Sequence, residues 1–272
     1  MTQRKHFSNL PSFSTINKIL MMEKKYPVPK SKKNITYPEF TLFENWLTII
    51  GVSTSFLSLT SWKKMYEVGS ELVSEIVDKT LHQLNRDGDL VNTLTNIENY
   101  LGKEDKLEKT DVIIVFGSKD LGKVDKAFRL WEKGYFQYFC MSGRSRMDAP
   151  SQKPECEIFR EKAIELGVPE DLILTEDTSV TLASNVRHSL LLFKEKNMNF
   201  KSIMTMVAWF GQRRAWCHLM KYTEDIKIVR VNSDIPSDRP LAKGNWYKNE
   251  TGIKVIAGEF LKMKMASMID TT

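Results

Sequence analysis

No segment of the 272-residue chain approaches the roughly 18 uninterrupted apolar residues that a membrane-spanning helix needs. The best candidate, Trp46 to Leu59, is short and broken by Gly51, Ser53, Thr54 and Ser55, so it reads as soluble helix and connection. Cysteine is scarce too. Cys140, Cys156 and Cys217 are too few and too scattered for a disulfide framework, and none has the Cys-x-x-Cys partner of a zinc or dithiol site. A reducing compartment follows. Acidic residues are missing from Met1 to Met22, where Arg, Lys and Ser occur as in a transit peptide, but that stretch lacks the continuous apolar run of a secretory signal. The cytoplasm is therefore the expected location. The sequence also holds no internal repeat, low-complexity tract, Walker loop, Gly-x-Gly-x-x-Gly turn, catalytic triad or metal-ligand cluster.

What is present is enough apolar residue, 42% of the chain, to build a sizeable core. The net charge of +6 is concentrated at one end. Residues 1–33 carry Arg4, Lys5, Lys18, Lys24, Lys25, Lys30, Lys32 and Lys33 against Glu23 alone, a surplus of +7 that leaves the rest of the chain at −1. Such a leader, residues 1–38 with Pro11, Pro27, Pro29 and Pro38, is either a solvated tail or a weak contact for an anionic surface or nucleic acid.

From residue 39 to 110 the pattern becomes helical. Leu72, Val73, Ile76, Val77, Leu81 and Leu84 recur at spacings of three and four, and Leu90, Leu94 and Ile97 mark a second helix. A charged linker, Lys103 to Lys109, follows. At Asp111 the pattern changes to short apolar runs alternating with helical segments: Val112–Phe116, Tyr138–Met141, Leu172–Thr175, Ser202–Val207 and Ile226–Val231. Parallel strands need crossover connections, so this alternation predicts a Rossmann-like, doubly wound α/β domain over 111–235, with a mainly parallel five-stranded sheet. Residues 236–272 supply a last helix, about Thr251 to Met268, expected to pack on the core through Ile253, Ile256, Phe260, Met263 and Met265.

Ligands of open α/β sheets sit beyond the carboxyl ends of the strands, so the residues following each strand are site candidates. The first strand delivers Gly117 and Ser118. The second delivers Ser142, Gly143 and Arg144, with Ser145 and Arg146 beyond, a small-residue turn with two arginines that suits an anion or is merely a turn. The third delivers Glu176, Asp177 and Ser179, with Asn185 in the next helix. Two carboxylates there could hold ribose hydroxyls, whereas Asp-x-Ser ahead of a helix also serves as a cap. After the fourth come Arg213 and Arg214, read as opening a helix expected from Arg214 to Met220. That end already carries partial positive charge, so an acidic partner, internal or bound, is expected. His188 and His218 fall within helices and read as packing or surface residues.

Taken in order, these segments resemble the YdcF-like family, which includes the SanA and ElyC envelope-associated proteins. The resemblance is carried by DVIIVFG, KVDKAFRLWEKG, MSG, ECEIFREKAIELGVPEDLILTED, SVTLASN and QRRAW, and covers roughly 120 residues. It implies a Rossmann-like fold and S-adenosylmethionine as ligand, and it adds Glu155, twelve residues before Gly167, to the positions to watch. The chain departs from the family at Lys123, where Arg is usual, at Arg144 in place of a second Gly, at Leu182 for Thr, at Ser184 for Glu, and at Trp209-Phe210 in place of a polar or Pro-containing turn. A Lys at 123 keeps the charge but loses the bidentate fork.

Three functions fit these residues. The first is binding of S-adenosylmethionine or a related adenosyl or nucleotide ligand, with the Gly143 loop and Arg213/Arg214 at its charged end and Glu176 or Asp177 on its hydroxyls. The second is an enzyme acting on a phosphorylated or nucleotide substrate, with Glu155 as general acid/base and the arginines on phosphate. The third is a non-catalytic interaction platform. If Glu155, Glu176 and Arg214 converge on one pocket at the carboxyl edge, the first two are favoured.

Overall fold

The chain's alternating patterns become, in the computed structural model, α1 (Thr41–Ile49), α2 (Trp62–Gln83), α3 (Gly88–Leu101), β1 (Val112–Phe116), α4 (Gly122–Glu132), β2 (Tyr138–Ser142), α5 (Glu155–Glu165), β3 (Ile173–Glu176), α6 (Leu182–Glu195), β4 (Ser202–Val207), α7 (Trp209–Tyr222), β5 (Lys227–Asn232) and α8 (Glu250–Ile269). The described residues are 40–144 and 153–269; the basic leader, and Ser145 and Arg146 of the loop after β2, lie outside them. Residues 102–234 form one compact unit, and 40–101 together with 235–269 form another.

In the second of these, α8 packs along α2 and α1 against α3, so the C-terminal helix belongs with the helical region that precedes the sheet in sequence. Aromatic residues hold it. Phe43 stacks on Phe260 with ring centroids 4.6 Å apart, Trp46 meets Trp246 edge-on, and the buried Trp46 indole donates to Thr80 Oγ1 at 3.1 Å. Among the described residues no helix is long and apolar enough to cross a membrane.

The sheet unit is doubly wound. Its five strands are parallel throughout, in the order β3-β2-β1-β4-β5, so the direction of winding reverses between β1 and β4. Side chains of a strand alternate between faces. Ile113, Val115, Phe139 and Met141 point to the layer of Val124, Ala127, Cys156 and Phe159 on α4 and α5. Val112, Ile114, Phe116 and Cys140 point to Val186, Phe193, Ala215 and Leu219 on α6 and α7. Both faces are covered, which is why the strands read as continuous apolar runs.

The stretch expected to be a charged linker is a strap along β5. Asp105 N–H donates to Arg230 O, and the Asp105 carboxylate accepts from Arg230 N–H at 3.0 Å and from both ends of its guanidinium fork at 2.8 and 2.6 Å. Glu104 accepts from Asn232 N–H at 2.8 Å, and Lys227 pairs with Glu108. An edge strand otherwise exposes a row of backbone N–H and C=O groups. Here carboxylates occupy two of its donors. The Arg230 guanidinium beside it holds the Asp105 carboxyl below its ordinary range.

Candidate functional site

The carboxyl edge of the sheet is built by extending the ladder one residue beyond the strands. Gly117 N–H donates to Ser142 O at 2.6 Å and Gly143 N–H to Glu176 O at 2.9 Å, so the two glycines lie side by side in continued parallel register. Their closeness requires that neither have a side chain. A methyl on Gly143 would lie 3.0 Å from Gly117 Cα, and Gly143 adopts φ +138°, a region L-residues rarely enter.

By alternation, a Cβ on either glycine would project to the α4–α5 face, and what it would meet there is Glu155. Glu155 Oε2 lies 2.4 Å from the position of a Gly117 methyl and 3.3 Å from that of a Gly143 methyl. The half-buried carboxylate of the first residue of α5 thus rests over the glycine pair, where the helix dipole also favours it. Lys123 lies on the same face, 3% exposed, with Nζ donating to Phe116 O at 2.9 Å. Burial lowers its amine to about 8 against the opposing pull of the Asp120 and Glu155 carboxylates. The amine turns inward, holding the end of β1 and offsetting Glu155. Ser118 accepts from Asp120 N–H in the turn to α4.

Glu176 belongs to the other face. Ser142 and Glu176 are register partners on the side of Cys140, facing α6 and α7. The Glu176 carboxylate, 5% exposed, accepts from Thr178 N–H (2.8 Å) and Oγ1 (2.7 Å), Ser179 N–H (2.9 Å), Ser142 Oγ (2.7 Å) and the Ser179 hydroxyl, which also meets the Asn185 side chain. Burial alone would raise its pKa, but hydrogen bonds involving His188, Ser179, Thr178 and Ser142 together outweigh it and hold the group at about 2. Thr178 has one hydroxyl hydrogen, given to Glu176, so its 2.7 Å contact with His188 Nδ1 requires that this nitrogen carry the proton. Glu176 is a buckle joining β2, β3 and the start of α6, with its acceptor capacity spent inside the protein.

Glu155 thus stands on the α4–α5 side of the carboxyl edge and Glu176 on the α6–α7 side, while Arg214 belongs to α7. The α7 helix begins at Trp209, so Arg213 and Arg214 stand in its second turn and not at its start. Arg213 lies over the Trp216 ring at 4.7 Å, and Arg230 over the same ring at 5.3 Å, which places Arg213 toward β5. Asp177 is exposed and does not cap α6. That task falls to Thr181, whose hydroxyl accepts from Ser184 N–H in a capping box. Arg144 is exposed, and its N–H donates to Ser179 O. Thr178 is absent from the sequence candidates, and His188, read there as a packing or surface residue, is buried against it; the spacing Glu176-x-Thr178, which lets a carboxylate cap its own turn, is the available signal. The thiols of Cys140, Cys156 and Cys217 are pushed up by burial, to about 12, 12 and 11, leaving no reactive thiolate among them.

No family model matches the chain. The uncharacterized protein SCO4629 of Streptomyces coelicolor is 29% identical over 126 residues, 46% of this chain and 57% of that protein. The matched region thus spans little more than half the relative's length. Among solved structures, the signal recognition particle receptor FtsY from Elizabethkingia anophelis aligns over 85% of this chain and 99% of its own at 11% identity, with TM-scores of 0.20, and 0.18 for its complex with GDP. Similarity that low carries no argument about fold or ligand.

Proposed function

We propose that the sheet unit is a small-molecule-binding, Rossmann-like module of the YdcF type, located in the cytoplasm, whose ligand is S-adenosylmethionine or a related adenosyl compound. The observation that supports this reading is the half-buried Glu155 carboxylate over the Gly117–Gly143 pair at the carboxyl ends of β1 and β2. Ligands of doubly wound sheets approach along the carboxyl edge. A carboxylate at that point suits the hydroxyls of a ribose or a cationic group. Glu176, fully bonded, contributes architecture. Ser118, Asp177, Arg144, Arg213 and Arg214 are further candidates for contact with the ligand.

The test is a thermal-shift and calorimetric titration with S-adenosylmethionine and S-adenosylhomocysteine. A ligand at 100 times its dissociation constant adds about 2.7 kcal/mol of stability. Stabilisation that disappears in Glu155→Ala, with the variant still folded, supports the reading; binding unaffected by that change contradicts it.

A further inference from the structure

A helix layered on a sheet ordinarily turns one side to water. On one face of this sheet it does: α5 exposes Ile158, Glu161, Ile164 and Glu165. On the other face α7 does not, since none of its 14 residues from Trp209 to Tyr222 is exposed. The sheet side of α7 is fixed by Gln212, whose amide oxygen accepts from Thr205 Oγ1 at 3.0 Å, and by Ala215 and Leu219, which pack with Ile114 and Val207. At about 100° per residue, the opposite side holds Phe210, Arg213 and Cys217, flanked by Trp209 and Met220. Trp209 is 1% and Cys217 2% exposed, yet neither belongs to the two apolar layers that line the sheet. Among the described residues the elements packed closely on α7 are α6, β4 and β5, which lie beside or beneath it. A buried apolar outer side on an outer helix calls for a further layer of chain.

We propose that this layer is the chain's own leader, with the segment from Phe13 to Met22 docked on the outer side of α7. Cys217 is buried within a single chain, so the cover is intramolecular. Three stretches lie outside the described residues. Residues 270–272 are too few to form a layer, and 145–152 lead into α5 on the opposite face of the sheet. The leader remains. In it Phe13, Ile16 and Leu20, with Ile19 beside them, recur at spacings of three and four, the pattern of one apolar face, while Ser14, Thr15 and Lys18 fall on the other side. That face matches Phe210, Cys217 and Met220 in chemistry. The segment holds Lys18 as its one charge, so the basic surplus of the leader sits in its flanks, at Arg4, Lys5, Lys24, Lys25, Lys30, Lys32 and Lys33. The contact is independent of the ligand reading above.

The experiment is iodoacetamide labelling of the native full chain, of the triple variant Phe13→Asp/Ile16→Asp/Leu20→Asp, and of a chain lacking residues 1–33. The alkylated cysteines are identified by mass spectrometry, and each variant is first checked for its circular dichroism and melting curve. All three thiols are buried, Cys140 and Cys156 in the layers that line the sheet and Cys217 on the outer side of α7. Wild type should label slowly at all three. In both variants Cys217 should label about tenfold or more faster while Cys140 and Cys156 keep their wild-type rates, because opening is confined to the outer layer. Cys217 labelling as slowly in the folded variants as in wild type assigns the cover to another part of the chain and overturns the proposal, as does an equal acceleration of all three thiols. Hydrogen exchange of the unaltered full chain decides the matter without any variant: amides of residues 13–22 should exchange about tenfold or more slowly than in the isolated peptide, and exchange at the peptide's rate overturns the proposal.

Discussion

Removing the Glu176 carboxylate should separate its structural role from any role toward ligand. Its pKa of about 2, against an ordinary 4.5, corresponds at about 1.4 kcal/mol per unit to roughly 3 kcal/mol of folding stability. Because the folded-state value is the lower one, that contribution is complete above pH 4.5 and is lost as the pH falls from 4.5 toward 2. Glu176→Ala strands the part-buried Thr178 N–H and the buried Ser179 N–H, along with the Ser142 and Ser179 hydroxyls, and should cost about 3–5 kcal/mol. Glu176→Gln can keep its carbonyl on the two N–H groups while the serine hydroxyls rotate to accept from its amide. It should cost less, about 1–2 kcal/mol, and should flatten the acid limb of the stability profile. Urea titrations of the three proteins between pH 2.5 and 7 measure both effects. A cost below about 1 kcal/mol for the alanine variant, or an acid limb unchanged in Glu176→Gln, would refute the buckle.

Gly117→Ala, placing a methyl 2.4 Å from Glu155 Oε2 and 3.0 Å from Ser142 O, should destabilise by about 1–3 kcal/mol; adding Glu155→Gly should recover part of that loss, with a coupling of about 1–2 kcal/mol in a urea double-mutant cycle. Additive costs would mean that the carboxylate does not rest on the glycine. Asp105→Asn removes one side of the bidentate pair with Arg230, so it should cost about 1.5–3 kcal/mol near neutral pH and speed hydrogen exchange at the Arg230 amide; wild-type protection should weaken in the same way as acid protonates Asp105 below its ordinary range. Unchanged exchange at Arg230 would show that the strap does not guard the strand edge.

The parallel sheet was readable because its strands are buried on both faces and so appear as unbroken runs such as Val112–Phe116 and Ser202–Val207, each bounded by turn residues. Placing candidates after each strand also located the carboxyl edge. What sequence position could not supply is the face. Glu155 opens a helix of the α4–α5 layer while Glu176 ends a strand on an outward step toward α6, and only strand alternation in the folded sheet shows that the two carboxylates are divided. The start of α7 was hidden because Trp209, Phe210 and Gly211 are ordinary to poor helix formers, whereas β4 hands over to the helix through Ala208 alone. The run from Lys103 to Lys109 read as a solvated linker because Arg230 and Asn232, which its carboxylates bind, lie about 125 residues further along the chain. Charge composition reveals nothing of partners so distant.

The most direct measurement is a crystal structure of the protein with S-adenosylmethionine bound. The expected result is density for the ligand beyond the carboxyl ends of β1 and β2, with a ribose hydroxyl or cationic group within hydrogen-bond reach of Glu155 and no ligand contact to Glu176. Ligand density on the α6–α7 face beside Glu176 and His188, or confined to the helical unit, would contradict the assignment of Glu155 as the binding carboxylate.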